Sequence, residues 1–387
     1  MNVKEIDAQY VANTYARFPL ELTRGKGSKV YDETGKEYID LGTGIAVNGF
    51  GVCDEEWKNA VVAQLNKIQH TSNLYYNEPC ALLAKTLCER SGLKKVFFSN
   101  SGAEANECAI KAARKYGETK KGKEYFTIIT LKNSFHGRTI TTLSATGQDV
   151  FHEHFTPMTE GFVYAEANDF SQIQTLAQTH KCCAVMLELV QGEGGVLALD
   201  EEYVATVYEF TRKNDMLLIV DEVQTGNGRT GALYAFERYG IFPDVVTTAK
   251  GLGGGLPIGA TMLGERAAEL FTPGLNGSTF GGNPVCAAGA LSILERIDDK
   301  LLAEVQEKSA YIFETLQNAK GVKSVSGMGL MIGVETEKNA GEVIEKCMER
   351  GVLVIKAKNK VRLLPALNVP FEDLKRAIEI LKEVIAE

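Results

Sequence analysis

Short apolar runs alternate with amphipathic stretches along this chain. "VFFS" from Val96, "YFTIITL" from Tyr125, "CAVMLEL" from Cys183, "MLLIVDEV" from Met216 and "DVVTTA" from Asp244 are short and rich in β-branched residues. Runs of that kind predict strands of a mainly parallel sheet covered by helices. Between the first two, Ala105, Cys108, Ala109, Ala112, Ala113 and Tyr116 recur at helical spacing, so a helix is predicted directly after the "SNSGA" turn.

Beyond Pro284 the pattern changes. A long helical segment leads into "SVSGMGLMIGVE", a second helix, "GVLVIKAK", "VRLLPAL" and a last helix from Phe371, which predicts a smaller α+β unit. The expected division is residues 58–280 as a large domain and 281–387 as a small one, with residues 1–57 packing on the small domain.

Length and charge narrow the ligands. A chain of 387 residues with 44% apolar content suits two structural units. A net charge of −8 disfavours nucleic acid or an anionic membrane as the main partner and leaves small molecules. The eight cysteines form no CxxC pair and read as reduced core residues; neither they nor the five histidines have metal-ligand spacing. The N-terminal stretch has neither signal-peptide nor transit-peptide character, and a cytoplasmic protein is expected.

Candidate chemistry begins at Lys250. It closes an apolar run and is followed by glycines 251, 253, 254, 255 and 259, which let backbone approach a ligand, and the chain then returns as the apolar "LPIGATMLG". A lysine at the loop end of a sheet suits imine chemistry with a carbonyl cofactor. Asp221 ends the run "LLIVD", where an ordinary helix cap is the bland alternative. Together the two residues match what pyridoxal phosphate needs: an amine for the aldehyde and a carboxylate for the pyridine nitrogen. "FFSNSGAEANE" adds a strand, a turn and a helix N-terminus, a natural anion site.

Other motifs are weaker alone. "GETKKGKE" at 117–124 lacks the end of a Walker motif and reads as a solvated loop. In "SFHGRT", Phe135 offers a ring to stack on a flat cofactor and Arg138 a fork that matches a carboxylate, while His136 is a candidate catalytic base for which a structural role is favoured. Glu188 and Glu193 flank glycines in "ELVQGEGGV", and Arg362 sits in "VRLLP" as a surface-pair or cleft arginine.

In this order, "SNSGAEANE", "NSFHGRT", "LVQGEGG", "VDEVQTGNGRTG", "TTAKGLGGGLPIGA" and "GSTFGGNP" resemble the class III pyridoxal-phosphate aminotransferases. The resemblance spans roughly Asn13 to Leu367. It implies a fold-type I dimer: an α/β large domain with a mainly parallel seven-stranded sheet and a smaller α+β domain. It further implies that Lys250 carries the imine and Asp221 pairs with the ring nitrogen. Gln224 would contact the phenolic oxygen, Gly102 and Ala103 cradle the phosphate, and Phe135 stack on the ring, while Thr279 would reach in from a partner subunit. Arg138 would bind the carboxylate of an acylated diamine, Arg362 that of glutamate, and Glu193 would cover Arg362 for the other substrate; Tyr15 is a further expected substrate contact.

Gly44 stands where ornithine-specific members carry a tyrosine, which favours an N-acylated donor. The expected reaction is therefore transfer of an amino group from N2-acetylornithine to 2-oxoglutarate, in arginine biosynthesis. Succinylornithine, N-succinyl-diaminopimelate, ornithine and 4-aminobutyrate remain alternative donors, and a non-enzymatic phosphate-binding protein is the alternative from another class. Two departures stand out: "NGFGVCDEEW" replaces a histidine-containing pattern, and Leu189 replaces a usual proline.

Overall fold

The computed structural model describes residues 2–387. Its largest sheet has seven strands in the order Lys95–Ser99, Gly259–Leu263, Val245–Thr248, Leu217–Asp221, Cys182–Leu187, Thr127–Leu131 and Phe162–Ala165. All pairings are parallel except the two made by Gly259–Leu263. The central strands are buried on both faces, which is why they read as continuous apolar runs.

Helix Gly102–Lys121 follows the first strand and buries the predicted stripe from Ala105 to Tyr116. It runs through Lys121 before stopping at Gly122, so residues 117–121 are its last turns and not the expected loop. Glu118, Lys120 and Lys121 are good helix formers, and the two lysines suit the negative end of the helix dipole.

Two four-stranded sheets and a two-stranded one, Val190–Gln191 with Leu197–Ala198, complete the strands. Leu22–Lys26, Lys29–Asp32 and Glu37–Asp40 form one together with Val352–Leu353. Val322–Met328, Met331–Thr336, Lys360–Leu363 and Ile355–Ala357 form the other. "GVLVIKAK" is thus divided between sheets at Val354, a break that no local composition marks. Helix Pro284–Arg296 packs on Glu55–Leu65 and Glu78–Ser91.

Arg229, in the loop after Asp221, is buried and donates through Nη1 to the carbonyls of Leu330 (3.0 Å) and Pro365 (2.5 Å). Burial pushes its pKa down to about 9. This ties the loop to the C-terminal sheet. The cysteines are all free; five are buried as expected, but Cys53 is exposed, and Cys80 and Cys88 are half-buried. No helix is long and apolar enough to cross a membrane, and no cluster of potential metal ligands occurs among the described residues.

Candidate active site

Two neighbouring strands end at the cavity. Leu217–Asp221 delivers Asp221, and Val245–Thr248 leads through Ala249 to Lys250. Carboxyl ends of parallel strands are where such sheets leave a crevice. The cavity there, about 470 Å³, is lined by Gly102, Ala103, Phe135, Arg138, Asp221, Gln224 and Lys250, and also by Asn106, His136, Glu188 and Val223. The first seven were named from sequence; the structure brings them together.

Lys250 opens a short 3-10 turn at a positive φ of 43°, a strained conformation for a non-glycine residue. Burial lowers its amine pKa, with Glu193 opposing that shift and Arg362 adding to it. A larger fraction of neutral, nucleophilic amine results. The glycines that follow do less for the cavity than expected, since only Gly255 lines it. A Cβ at Gly253 would lie 2.0 Å from the Leu256 carbonyl oxygen, and one at Gly254, with φ at 58°, would crowd Trp57 and Ile293. Protein backbone and Trp57, whose Nε1 donates to the Gly253 carbonyl at 3.0 Å, explain those glycines.

Asp221 is almost fully buried but well partnered. Its Oδ2 accepts from Asn106 Nδ2 at 2.8 Å and lies 2.8 Å from His136 Nδ1, while Oδ1 accepts from the Val223 amide at 3.0 Å. Thr247 Oγ1 donates to Asn106 Oδ1 at 2.7 Å, so helix and sheet fix the carboxylate jointly. Burial opposes a charge on His136, yet the hydrogen bond and charge of Asp221 outweigh it and raise its pKa. The sequence reading leaves His136 structural; its ring in fact braces the acid. No periodicity in the chain signals that contact, because 85 residues separate the pair.

Glu188 is a second buried acid at the cavity. Its oxygens accept from the Phe135 amide (2.7 Å) and the Gly192 amide (3.4 Å). Burial pushes its pKa up to about 7, with His136 opposing and Asp221 adding to the shift.

Arg362 and Glu193 meet outside the cavity wall. Arg362 Nη1 donates to Glu193 Oε1 at 2.6 Å and to Gln224 Oε1 at 3.1 Å. Gln224 thus connects this pair to the cavity it lines. Arg138, by contrast, is exposed at the cavity with its guanidinium carbon over the rings of Phe135 and Phe151.

Three expected positions lie elsewhere. Tyr15 is 71% exposed in the N-terminal segment, beside Arg17. Thr279 is exposed and lines a separate cavity with Phe97, Ser278 and Phe280. Gly44 has a φ of 62° within a left-handed turn of Thr43–Ala46 and lines another cavity of about 380 Å³ with Arg17, Phe18 and Ile45. Val47, just beyond that turn, reaches the Lys250 cavity.

Residues 10–385 match the aminotransferase class-III family. The chain belongs to the class III aminotransferases. It is 50% identical to an acetylornithine aminotransferase of Haemophilus ducreyi, covering 100% of this chain and 98% of that protein. With the enzyme of the same name from Caldanaerobacter subterraneus it shares 46%, over 98% of each chain. Among solved structures, N-acetylornithine aminotransferase from Stenotrophomonas maltophilia has a TM-score of 0.84 and 35% identity, covering 99% of this chain and 98% of that one. The ornithine aminotransferase of Toxoplasma gondii superposes with a TM-score of 0.95 at 30% identity, over 99% of this chain and 94% of that one.

Class III aminotransferases use pyridoxal phosphate, and the residues of this one fit it. Gly102 and Ala103 open a 20-residue helix, where first-turn amides have no helical partner and favour an anion. A Cβ at Gly102 would fall 2.6 Å from the Val223 side chain, so a larger residue there would displace that wall of the cavity. Phe135 and Val223 would supply apolar walls for a flat ring, Asp221 an acid for its nitrogen, and Lys250 an amine for its aldehyde.

Proposed function

We propose that this aminotransferase moves the terminal amino group of N2-acetylornithine to 2-oxoglutarate, yielding N-acetylglutamate 5-semialdehyde and glutamate. The observation that carries this reading is the buried Arg362, paired with the half-buried Glu193 and attached through Gln224 to the Lys250 cavity. With Arg362 covered, the site accepts an amine that has no carboxylate nearby; with Glu193 displaced, the same guanidinium takes the α-carboxylate of glutamate. The relatives' names, and the chain's higher identity to acetylornithine than to ornithine enzymes, support the acylated donor.

Pyridoxal phosphate, when bound, supplies an electron sink conjugated to the reacting carbon. Asp221, held by Asn106 and His136, keeps the ring nitrogen protonated. Lys250, its basicity moderated by burial, would take the proton from the amine-bearing carbon of the substrate and return it to the carbon on the other side of the nitrogen. Gly102 and Ala103 bind the phosphate, Phe135 and Val223 flank the ring, Gln224 orients its oxygen, and Arg138 receives the distal carboxylate.

A homodimer completes this reading. Leu74, Tyr75, Tyr76 and Phe280 are 86%, 72%, 105% and 59% exposed, large apolar side chains that a second copy of the chain would cover. Asn73 fastens the segment carrying these tyrosines to the Thr279 loop through the carbonyls of Ser278 (3.0 Å) and Gly281 (2.9 Å). Thr279 would then serve the partner's phosphate, and Tyr15 a substrate. The division at residues 57 and 280, and a cytoplasmic setting consistent with free cysteines, belong to the same proposal.

Glutamate formation measured with N2-acetylornithine, ornithine, succinylornithine and 4-aminobutyrate as donors tests the substrate. The acetylated donor should have the highest kcat/KM; a higher value for any of the others would replace it.

A further inference from the structure

Arg138 has neither a hydrogen bond nor an ion pair among the described residues, and yet its position is defined. Its Cζ lies 4.1 Å from the centroid of the Phe151 ring and 5.5 Å from that of Phe135. The two rings meet edge-on, centroids 5.8 Å apart at 78°. One aromatic residue therefore supports both the guanidinium and the ring that faces the cofactor cavity.

Phe151 is itself anchored. Asn133 N donates to the Gly147 carbonyl at 2.7 Å, Gly147 N to Ser134 Oγ at 3.0 Å, and Gln148 Nε2 to the Ser134 carbonyl at 2.9 Å. His152 Nε2 sits 2.9 and 2.7 Å from the carbonyls of Leu143 and Thr146. These bonds bind the Phe151 turn to the Phe135 loop as one body.

We propose that Phe151 is the positioning residue for carboxylate recognition: its ring holds the Arg138 guanidinium flat and presents the N–H edge to a substrate carboxylate. A long exposed arginine otherwise loses rotamer freedom on binding, and a stacked one has lost it beforehand. Stacking leaves the in-plane donors free, which is the geometry a bidentate carboxylate needs. The inference rests on the proposed role of Arg138, and Phe151 itself does not line the cavity.

The test is titration calorimetry of the cofactor-loaded enzyme with glutarate, an unreactive dicarboxylate, alongside steady-state kinetics. Phe151→Leu keeps an apolar side chain and removes the ring; it should weaken glutarate binding by roughly three- to tenfold, the range of an exposed to partly desolvated cation–π contact. KM for both substrates should rise similarly while kcat and bound cofactor stay near the parent values. Phe151→Tyr should restore binding, a rescue that a merely structural role does not require once cofactor content is unchanged. Parental glutarate affinity in Phe151→Leu, with affinity lost in Arg138→Lys, overturns the role of Phe151 and leaves that of Arg138 standing. Parental affinity in Arg138→Lys overturns the carboxylate role of Arg138, and the present inference falls with it.

Discussion

Arg362 and Glu193 form a 2.6 Å ion pair in which the arginine is only 2% exposed. A buried guanidinium without a counter-charge is costly, so the pair must be either closed or replaced by a substrate carboxylate. Glu193→Gln keeps a hydrogen bond and removes the charge. It should lower kcat/KM for N2-acetylornithine by about tenfold or more, since leaving a buried guanidinium without its counter-charge costs well over ~1.4 kcal/mol. The value for glutamate in the reverse reaction should hold or rise. Equal losses for both amines would contradict the proposed exchange.

Lys250 is proposed both to bond the cofactor and to carry the proton. Lys250→Ala should still bind pyridoxal phosphate through the Gly102 helix end and Asp221, but the cofactor should be released on denaturation without borohydride fixing it. Turnover should fall by about 10²–10⁴-fold from loss of the proton-transfer group alone. Parental turnover would remove Lys250 from the chemistry.

His136 lines the Lys250 cavity, and its one side-chain partner there is Asp221, so its effect on the reaction is expected through that acid. His136→Asn should reduce kcat with little change in KM and shift the pH at which the bound cofactor's visible band changes. A change in KM alone would limit His136 to packing.

A pH effect on folding follows from Glu222. It accepts from the Phe236 amide at 2.9 Å and from Thr225, is fully buried, and has its pKa pushed up to about 7 by that burial. A carboxyl whose folded pKa is raised contributes stability that is complete below its unfolded value of 4.5 and lost as pH rises through about 7. Glu222→Gln cannot titrate, so its denaturation midpoint should gain on the parent's between pH 4.5 and 8. Each pKa unit corresponds to about 1.4 kcal/mol. A pH-independent difference would contradict the buried charge.

Much of the site was legible because strands announce their ends. Asp221 and Lys250 each close an apolar run, and the helix stripe from Ala105 locates the Gly102 turn without reference to any relative. The Arg362–Glu193 contact spans 169 residues, and only the family resemblance suggested it. His136, Val223 and Phe151 carried no local signal, since an imidazole, a β-branched residue and a phenyl ring in loops look alike whether they pack or position. The glycines after Lys250 misled in one respect: a backbone crowded by Trp57 and Leu256 demands the same residue as a backbone near a ligand.

Gly44 is the residue on which donor choice was read, and the structure sets it in a separate cavity, with Val47 of the same turn region reaching that of Lys250. Gly44→Tyr places a side chain at a φ of 62°, which strains the turn for every substrate alike. The ratio of kcat/KM for N2-acetylornithine over ornithine cancels that strain. It should fall by about tenfold, the effect of a few unfavourable contacts; an unchanged ratio would assign selectivity elsewhere.

The most direct measurement is a single half-reaction. Cofactor-loaded enzyme is mixed with N2-acetylornithine, or separately with ornithine, without any oxo acid, and the visible absorbance of the bound cofactor is followed. The account predicts bleaching that is much faster with the acetylated amine. Faster bleaching with ornithine would contradict the proposed donor, and the absence of a visible cofactor band after loading would contradict the site built on Lys250 and Asp221.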